Sequence, residues 1–190
     1  MSTTVAVRGA GELTDRLVAG LAAAGITVTD GDRYDALVVV PQVAAASGPI
    51  ESVTDDEFRA AWEEPLRTTV EAMIAARAAG ATRLVVVTST AGMTGAERGA
   101  PLAMSAEALR ALVKSVARQW GREGITANTI AVDPGLLGVA AGAVSIAPRA
   151  LGEPGDPAEE LGPIVAFCCS PAAGHLTGAT LTVDGGSWMP

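Results

Sequence analysis

Residues 121–135 read GREGITANTIAVDPG, and the fold follows from them. Gly121 to Gly124 stop a helix, Ile125 to Val132 make one strand, and Asp133-Pro134-Gly135 close that strand with turn chemistry. Upstream, Leu109, Leu112, Val113, Val116, Ala117 and Trp120 form the apolar stripe of a helix running from about Leu102 to Arg122, and Leu84 to Val87 form a buried strand ending at Thr88-Ser89-Thr90. Thr54-Asp55-Asp56-Glu57 is a capping box. It opens a long helix whose face Phe58, Trp62, Leu66, Thr69, Val70 and Met73 is apolar up to Gly80, with a kink expected at Pro65.

The amino terminus follows the same logic. TTVAVR (Thr3 to Arg8) leads into Gly9 and Gly11, and Leu13, Leu17, Leu21 and Ala24 then recur at helical spacing until Gly25. Ile26 to Thr29 reads as a second strand and Ala36 to Val40 as a strongly apolar third. Downstream, Gly135 to Gly155 is Gly/Ala-rich and weakly periodic, so it is expected to be mobile. Asp156-Pro157 with Glu159 starts a helix to about Cys169, with a bend expected at Pro163. Ala179 to Val183 is the last strand, closed by Asp184-Gly185-Gly186. Strands alternating with helices imply an α/β fold, Rossmann-like and doubly wound, in which a mostly parallel sheet is covered on both faces. Residues 1–190 are expected to form a single domain.

Composition narrows the function. The chain has 190 residues, 49% hydrophobic and 18% charged, enough for one sizeable core. Thirteen basic against 21 acidic residues give a net charge of −8, which argues against nucleic acid or an anionic membrane as partner. No apolar stretch approaches the ~20 residues of a membrane span and no basic-then-apolar leader opens the chain, so a cytoplasmic location is expected. Cys168 and Cys169 are adjacent and cannot cross-link distant segments; they are expected to pack in a helix. No Cys/His cluster has metal spacing, so no metal is expected.

A Ser-ended strand, a long helix, GIT.N, a PG loop and a terminal LTGATLTVDGG (Leu176 to Gly186), in that order, resemble the short-chain dehydrogenase/reductase family over nearly the whole chain. The resemblance implies an NAD(P)-dependent oxidoreductase, yet the chemical positions depart from the family. The Gly turn TGxxxGxG reads Arg8-Gly9-Ala10-Gly11-Glu12-Leu13-Thr14-Asp15. Gly9 and Gly11 remain as a remnant of cofactor binding, while Glu12 and Asp15 put negative charge in the first helical turn, where a phosphate would otherwise lie. NNAG corresponds to Val39-Val40-Pro41-Gln42. The catalytic Asn falls on Pro65, the Ser on Ser89, the Tyr on Leu102 and the Lys of YxxxK on Ala106. A register two residues later gives Met104 and Ala108, and Lys114 lies beyond the motif. Leu and Ala cannot titrate, so the proton transfer that a phenol beside an ammonium performs in the family has no carrier here. Ser89 is the retained position, expected to be non-functional.

Between the second strand and the next, Asp30 to Asp35 replace what in the family is a helix, a strand and another helix gripping adenosine. A crossover needs roughly 10 residues or more, so the family's third strand and its helix are expected to be missing and the second strand to be rudimentary or an edge piece. Asp32 is read as a solvated turn residue. Tyr34 is the only tyrosine and is no substitute by spacing. His175 has no partner acid or Cys and reads as a packing or surface residue. The two long helices, which in the family pack against the same helices of a neighbour, and the last helix and strand, which form a second interface, are all present. A non-catalytic subunit follows as the expectation. It is not expected to be active alone, binds no cofactor itself and assembles with an intact NAD(P)-dependent alcohol dehydrogenase or ketoreductase of the family, or with itself, as a heterodimer or heterotetramer. Its Trp188-Met189-Pro190 tail would lie near the partner's substrate mouth. The alternatives are an NAD(P)-dependent oxidoreductase with a reduced site and a ligand-sensing module.

Overall fold

Six parallel strands form one sheet in the computed structural model, which describes residues 3–43, 48–95, 97–139 and 148–189. They are β1 (Thr4–Arg8), β2 (Thr27–Val28), β3 (Ala36–Val39), β4 (Arg83–Ser89), β5 (Thr126–Val132) and β6 (Thr180–Val183), in the spatial order β2-β1-β3-β4-β5-β6. Successive strand residues point to opposite faces. Val5, Val38, Val85, Val87 and Ile130 therefore fill one core, against Leu13, Leu17 and Leu21 of α1 (Glu12–Ala23) and the buried Val165, Cys168 and Cys169. Ala6, Leu37, Val39, Leu84 and Val86 fill the other, against Met73 and Ala76 of one long helix and Leu109, Val113 and Trp120 of the second. The sheet is covered on both sides, as the alternating elements required.

The helices begin close to where the sequence placed them. Thr54 caps α2 (Asp55–Phe58) with a reciprocal capping box, its hydroxyl accepting from the Glu57 N–H while the Glu57 carboxylate accepts from the Thr54 N–H at 2.8 Å. The helix does not simply kink at Pro65. Arg59–Glu63 widen into a π-helical turn, after which α3 runs over Glu64–Ala79. Pro65 lacks an N–H and its ring crowds the carbonyl four residues back, so the widened turn upstream absorbs both defects. After α4 (Ala91–Thr94), α5 spans Ala100–Trp120. The expected helix ending at Cys169 is divided at Leu161 into α6 (Pro157–Glu160) and α7 (Gly162–Cys169), with Pro163 in the first turn of α7. Gly20 and Gly162 meet at the crossing of α1 and α7, where a Cβ on Gly162 would lie 2.7 Å from the Gly20 Cα.

Register explains how so short a segment joins β2 to β3. Val28 pairs with Val5, and Val5 pairs with Ala36 on its other side, so the end of β2 and the start of β3 lie at the same level of the sheet. The chain crosses over β1 sideways, roughly two strand spacings or 10 Å, instead of returning along the strand. Each residue added to β2 would raise its end by about 3.3 Å and shorten the joining segment by one residue. Tyr34, buried in the crossing segment, packs with Ala6 and Leu37. It covers β1 where a crossover helix would otherwise do so. Of the stretch 135–155 expected to be mobile, residues 140–147 lie outside the described residues; Arg149 is anchored on Asp133. Among the described residues no helix is long and apolar enough to cross a membrane.

Asp35 clamps the crossing. Its carboxylate accepts the Thr4 N–H and the Thr4 hydroxyl, both at 2.8 Å. The backbone N–H first, and the hydroxyl second, hold its pKa below the ordinary carboxylate value. The contribution to stability is full above the unfolded carboxyl pKa of about 4 and is lost as pH falls through the lowered folded value. Asp35→Ala is expected to cost about 1 kcal/mol at neutral pH, a figure kept low because the carboxylate is exposed. Thermal melts should show the difference from wild type closing on acidification; a gap independent of pH would remove the carboxylate from the account.

Candidate functional site

The carboxyl ends of the parallel strands bring together the Gly turn after β1, residues 40–43 after β3, Ser89 at the end of β4 and the Asp133–Val139 segment after β5. The crevice outside such ends is where open α/β sheets hold ligands. A cleft of about 490 Å³ is lined there by Gly11, Glu12, Arg16, Gln42, Val43 and Leu136 among others. A smaller hollow of about 240 Å³ lies on the α3 flank beside Arg8, Glu64 and Thr68. Val40, Pro41 and Gln42 line both hollows and so form the wall between them.

The Gly turn is closely packed. A Cβ on Gly9 would stand 2.7 Å from the Val40 carbonyl, and Gly11 takes φ +88°, a region that favours glycine. The Gln42 side-chain amide donates to the Ala10 carbonyl at 2.6 Å, and the Thr14 hydroxyl donates to the same oxygen at 3.1 Å. The Arg16 guanidinium, which could meet an anion in the cleft, is ion-paired with Asp156 at 3.3 Å. Glu12 and Asp15 occupy the first turn of α1. Asp32 is exposed in the segment 29–35, which holds neither helix nor strand. These residues do not fit a nicotinamide dinucleotide. The turn that would hold its pyrophosphate carries carboxylates and a bridging amide, and among the described residues no strand stands beyond β2 to wall the adenosine.

Ser89 is fully buried, with 0% exposure, and its Oγ accepts the Ala91 N–H at 3.1 Å. Leu102, at the family's tyrosine position, is 3% exposed and packs with Ala91 and Val139, with Val43 against the group. Ala106 is 1% exposed on the same helix. The two-residue shift offers no better arrangement, because Met104 is at the surface, Ala108 is half-buried and Lys114 is exposed. Pro65 is buried and its carbonyl accepts the Thr69 hydroxyl at 2.7 Å. Ala91, two residues after Ser89, belongs to an apolar cluster with Leu102 and Val139, and none of these three side chains can exchange a proton.

Other singled-out residues lie elsewhere. Tyr34 is buried with the Arg8 guanidinium 6.0 Å from its ring centre. His175 is exposed. Cys168 and Cys169 are buried and unbridged, and burial pushes their thiols up to about 11 and about 12, out of the reactive range. Among the described residues no group of three His, Cys, Asp or Glu side chains is placed to hold a metal ion. The tail turns back on itself: the buried Asp184 carboxylate accepts from the Gly186 N–H, the Ser187 hydroxyl and the Trp188 N–H at 2.8–3.0 Å, while Pro190 lies outside the described residues. Sequence reading missed two arrangements. One is the Gln42 bridge. The other is Arg149, which donates to Asp133 at 2.8 Å and to Glu153 at 2.6 Å and so ties the PG turn to the segment after it. The Gln42–Ala10 and Arg149–Asp133 bonds are not local patterns; they join residues 32 and 16 positions apart.

A sequence model described as enoyl-(acyl carrier protein) reductase matches residues 21–187, and the chain belongs to the short-chain dehydrogenase/reductase family. A tropinone reductase homolog from Arabidopsis thaliana is 34% identical over 119 residues, covering 58% of this chain and 44% of that protein. Another from the same plant is 35% identical over 115 residues, covering 54% and 42%. The chain thus matches less than half the length of these curated relatives. Levodione reductase superposes with a TM-score of 0.76 at 19% identity, covering 97% of this chain and 96% of that one. A variant of a Serratia marcescens short-chain dehydrogenase/reductase gives 0.73 at 23%, covering 98% and 97%. At these identities the two structures show a common fold.

Ser89→Ala should cost about 1–2 kcal/mol in urea unfolding, because it leaves the buried Ala91 N–H without its acceptor. Restoring the family pair by Leu102→Tyr with Ala106→Lys should yield no NAD(P)H oxidation and a destabilised protein, since it overpacks an apolar site and buries an ammonium. A stable, active double variant would contradict this description of the site.

Proposed function

We propose that this chain is a non-catalytic member of its family that assembles with a catalytically active dehydrogenase or ketoreductase subunit and stabilises it. The observation that carries the reading is the closed apolar cluster of Ala91, Leu102 and Val139, beside a Ser89 whose hydroxyl is already engaged by its own backbone. A group that is buried, and flanked by side chains without a titratable proton, cannot serve as acid or base toward a substrate. In this reading the chain holds no NAD(P); the cofactor belongs to the partner. The working compartment is the cytoplasm, and neither nucleic acid nor a membrane is involved.

The surface supports an assembly role. Phe58, Trp62, Leu66, Val70 and Ile74 recur every four residues along α2, the π turn and α3. Phe58 stacks on Trp62 at 6.0 Å, and Ile74 is 58% exposed. Their apolar area would be removed from water by a neighbour, at about 25 cal/mol per Å². The resemblance implies that this helix and α5 pack against the same pair of a related subunit. At the other edge of the sheet, β6 is half-buried along its whole length and Phe167 of α7 is exposed, which suits a second contact. The cleft of about 490 Å³ favours one other reading, a module that senses a small ligand, because its size falls within the range of ligand pockets.

Purification from source cells should bring down an intact family member, and the isolated chain should not turn over NAD(P)H with any carbonyl substrate that the complex reduces. Ile74→Glu should weaken the assembly at least tenfold in sedimentation equilibrium while leaving the circular dichroism of the chain unchanged. Turnover by the isolated chain would exclude the proposal.

A further inference from the structure

We propose that the α2–α3 face is covered by a second copy of this chain, laid antiparallel so that the acidic start of one copy lies over the basic end of the other. The inference rests on the reading of this face as an assembly surface and names its occupant. In that arrangement the β6 edge and Phe167 remain for the catalytic subunit. The apolar row gives the register. Phe58, Trp62, Leu66, Val70 and Ile74 are evenly spaced about Leu66, with Phe58, Val70 and Ile74 exposed and the other two half-buried. A two-fold axis at Leu66 turns the row end for end. It sets Phe58 against Ile74 and Trp62 against Val70 of the second copy, so the same patch is used on both copies. Rows of residues four apart are inclined to the helix axis, and two of them set face to face cross their helices at about 50°, a common packing angle.

Charge supplies the direction and the identity of the partner. Between residues 50 and 64 six carboxylates stand against one guanidinium, that of Arg59, which is already shared by Asp56 and Glu63. At the other end Arg77, Lys114, Arg118 and Arg122 stand against Glu123. The carboxyl ends of α3 and α5 are neighbours there, since Arg77 pairs with Glu123 at 2.7 Å and lies over the Trp120 ring. Lys114, Arg118 and Arg122 are exposed and, among the described residues, hold no ion pair. The middle is neutral, with Arg67 paired to Glu71 at 3.2 Å. Asp55 and Arg77 are equally far from Leu66 along the sequence. In a parallel pair like charge would face like charge at both ends, whereas the antiparallel pair sets Asp55 level with Arg77 and joins unlike ends twice. A chain of net charge −8 repels its own copy in most orientations, so cations gathered at one end of an exposed apolar row select this approach.

Sedimentation equilibrium of the purified chain at low and high salt tests the pairing. Wild type should be a dimer at on the order of 10 μM in about 50 mM salt, and the dimer should weaken severalfold in about 500 mM salt. Asp55→Lys with Glu63→Lys and Glu64→Lys should weaken it at least tenfold at low salt, and so should Lys114→Glu with Arg118→Glu and Arg122→Glu. An equimolar mixture of the two variants should recover the dimer, which also shows that both are folded. A wild type that stays monomeric at on the order of 100 μM in low salt would overturn the pairing, and so would a dimer indifferent to both sets of substitutions. Adding the family member recovered from source cells separates the two proposals. If it binds a wild-type chain that is monomeric alone, the pairing falls and the assembly reading stands. If the chain pairs with itself as described and captures no such enzyme, the pairing stands and that reading falls. Capture of the enzyme by a monomeric charge-reversed variant puts the enzyme on another face and supports the pairing.

Discussion

The architecture depends on one geometric relation: the end of β2 and the start of β3 stand level on either side of β1, so the short segment between them crosses β1 sideways. Val28, Val5 and Ala36 are level across three strands. β2 stops after two residues, and the level arrangement goes with that. Once β3 is set beside β1, the parallel pairing of Val38 with Val7 and with Val85 follows, and with it the alternation that sends Val38 to one core and Leu37 to the other. The Asp35–Thr4 bonds and Tyr34 secure the crossing from its two sides, one at the strand's start and one over its face.

The same shortening bears on the crevice. β2 is the edge strand among the described residues, and beside it the Arg8 guanidinium lies over Tyr34 and donates to the Val7 carbonyl at 3.1 Å. Inward, the Gly turn is packed against Val40 and bridged by Gln42. Further along, Leu102 and Val139 seal the end of β4. Together these contacts leave the crevice internally bonded at the Gly turn and apolar beside the end of β4.

Much of the fold was legible because hydrophobic period and helix punctuation are local signals. The capping box at Thr54, the Pro157 start and the apolar run Ala36 to Val40 each appear where their chemistry places them. The π turn before Pro65 was not legible, because a proline's missing donor can be met by a kink, a break or a widened turn, and no local residue pattern chooses among them. The replaced positions at Leu102 and Ala106 could be read from spacing, but their burial could not.

By itself the sequence determined that strands and helices alternate and that too few residues separate the second and third strands for another crossover. Periodicity, side-chain chemistry and chain length are properties of the covalent chain, so these conclusions needed no coordinates. Tertiary structure alone decided that Gln42 reaches Ala10 and that Arg149 reaches Asp133. Contacts of that kind depend on where separate segments come to rest after the core has packed, and no local pattern encodes that distance.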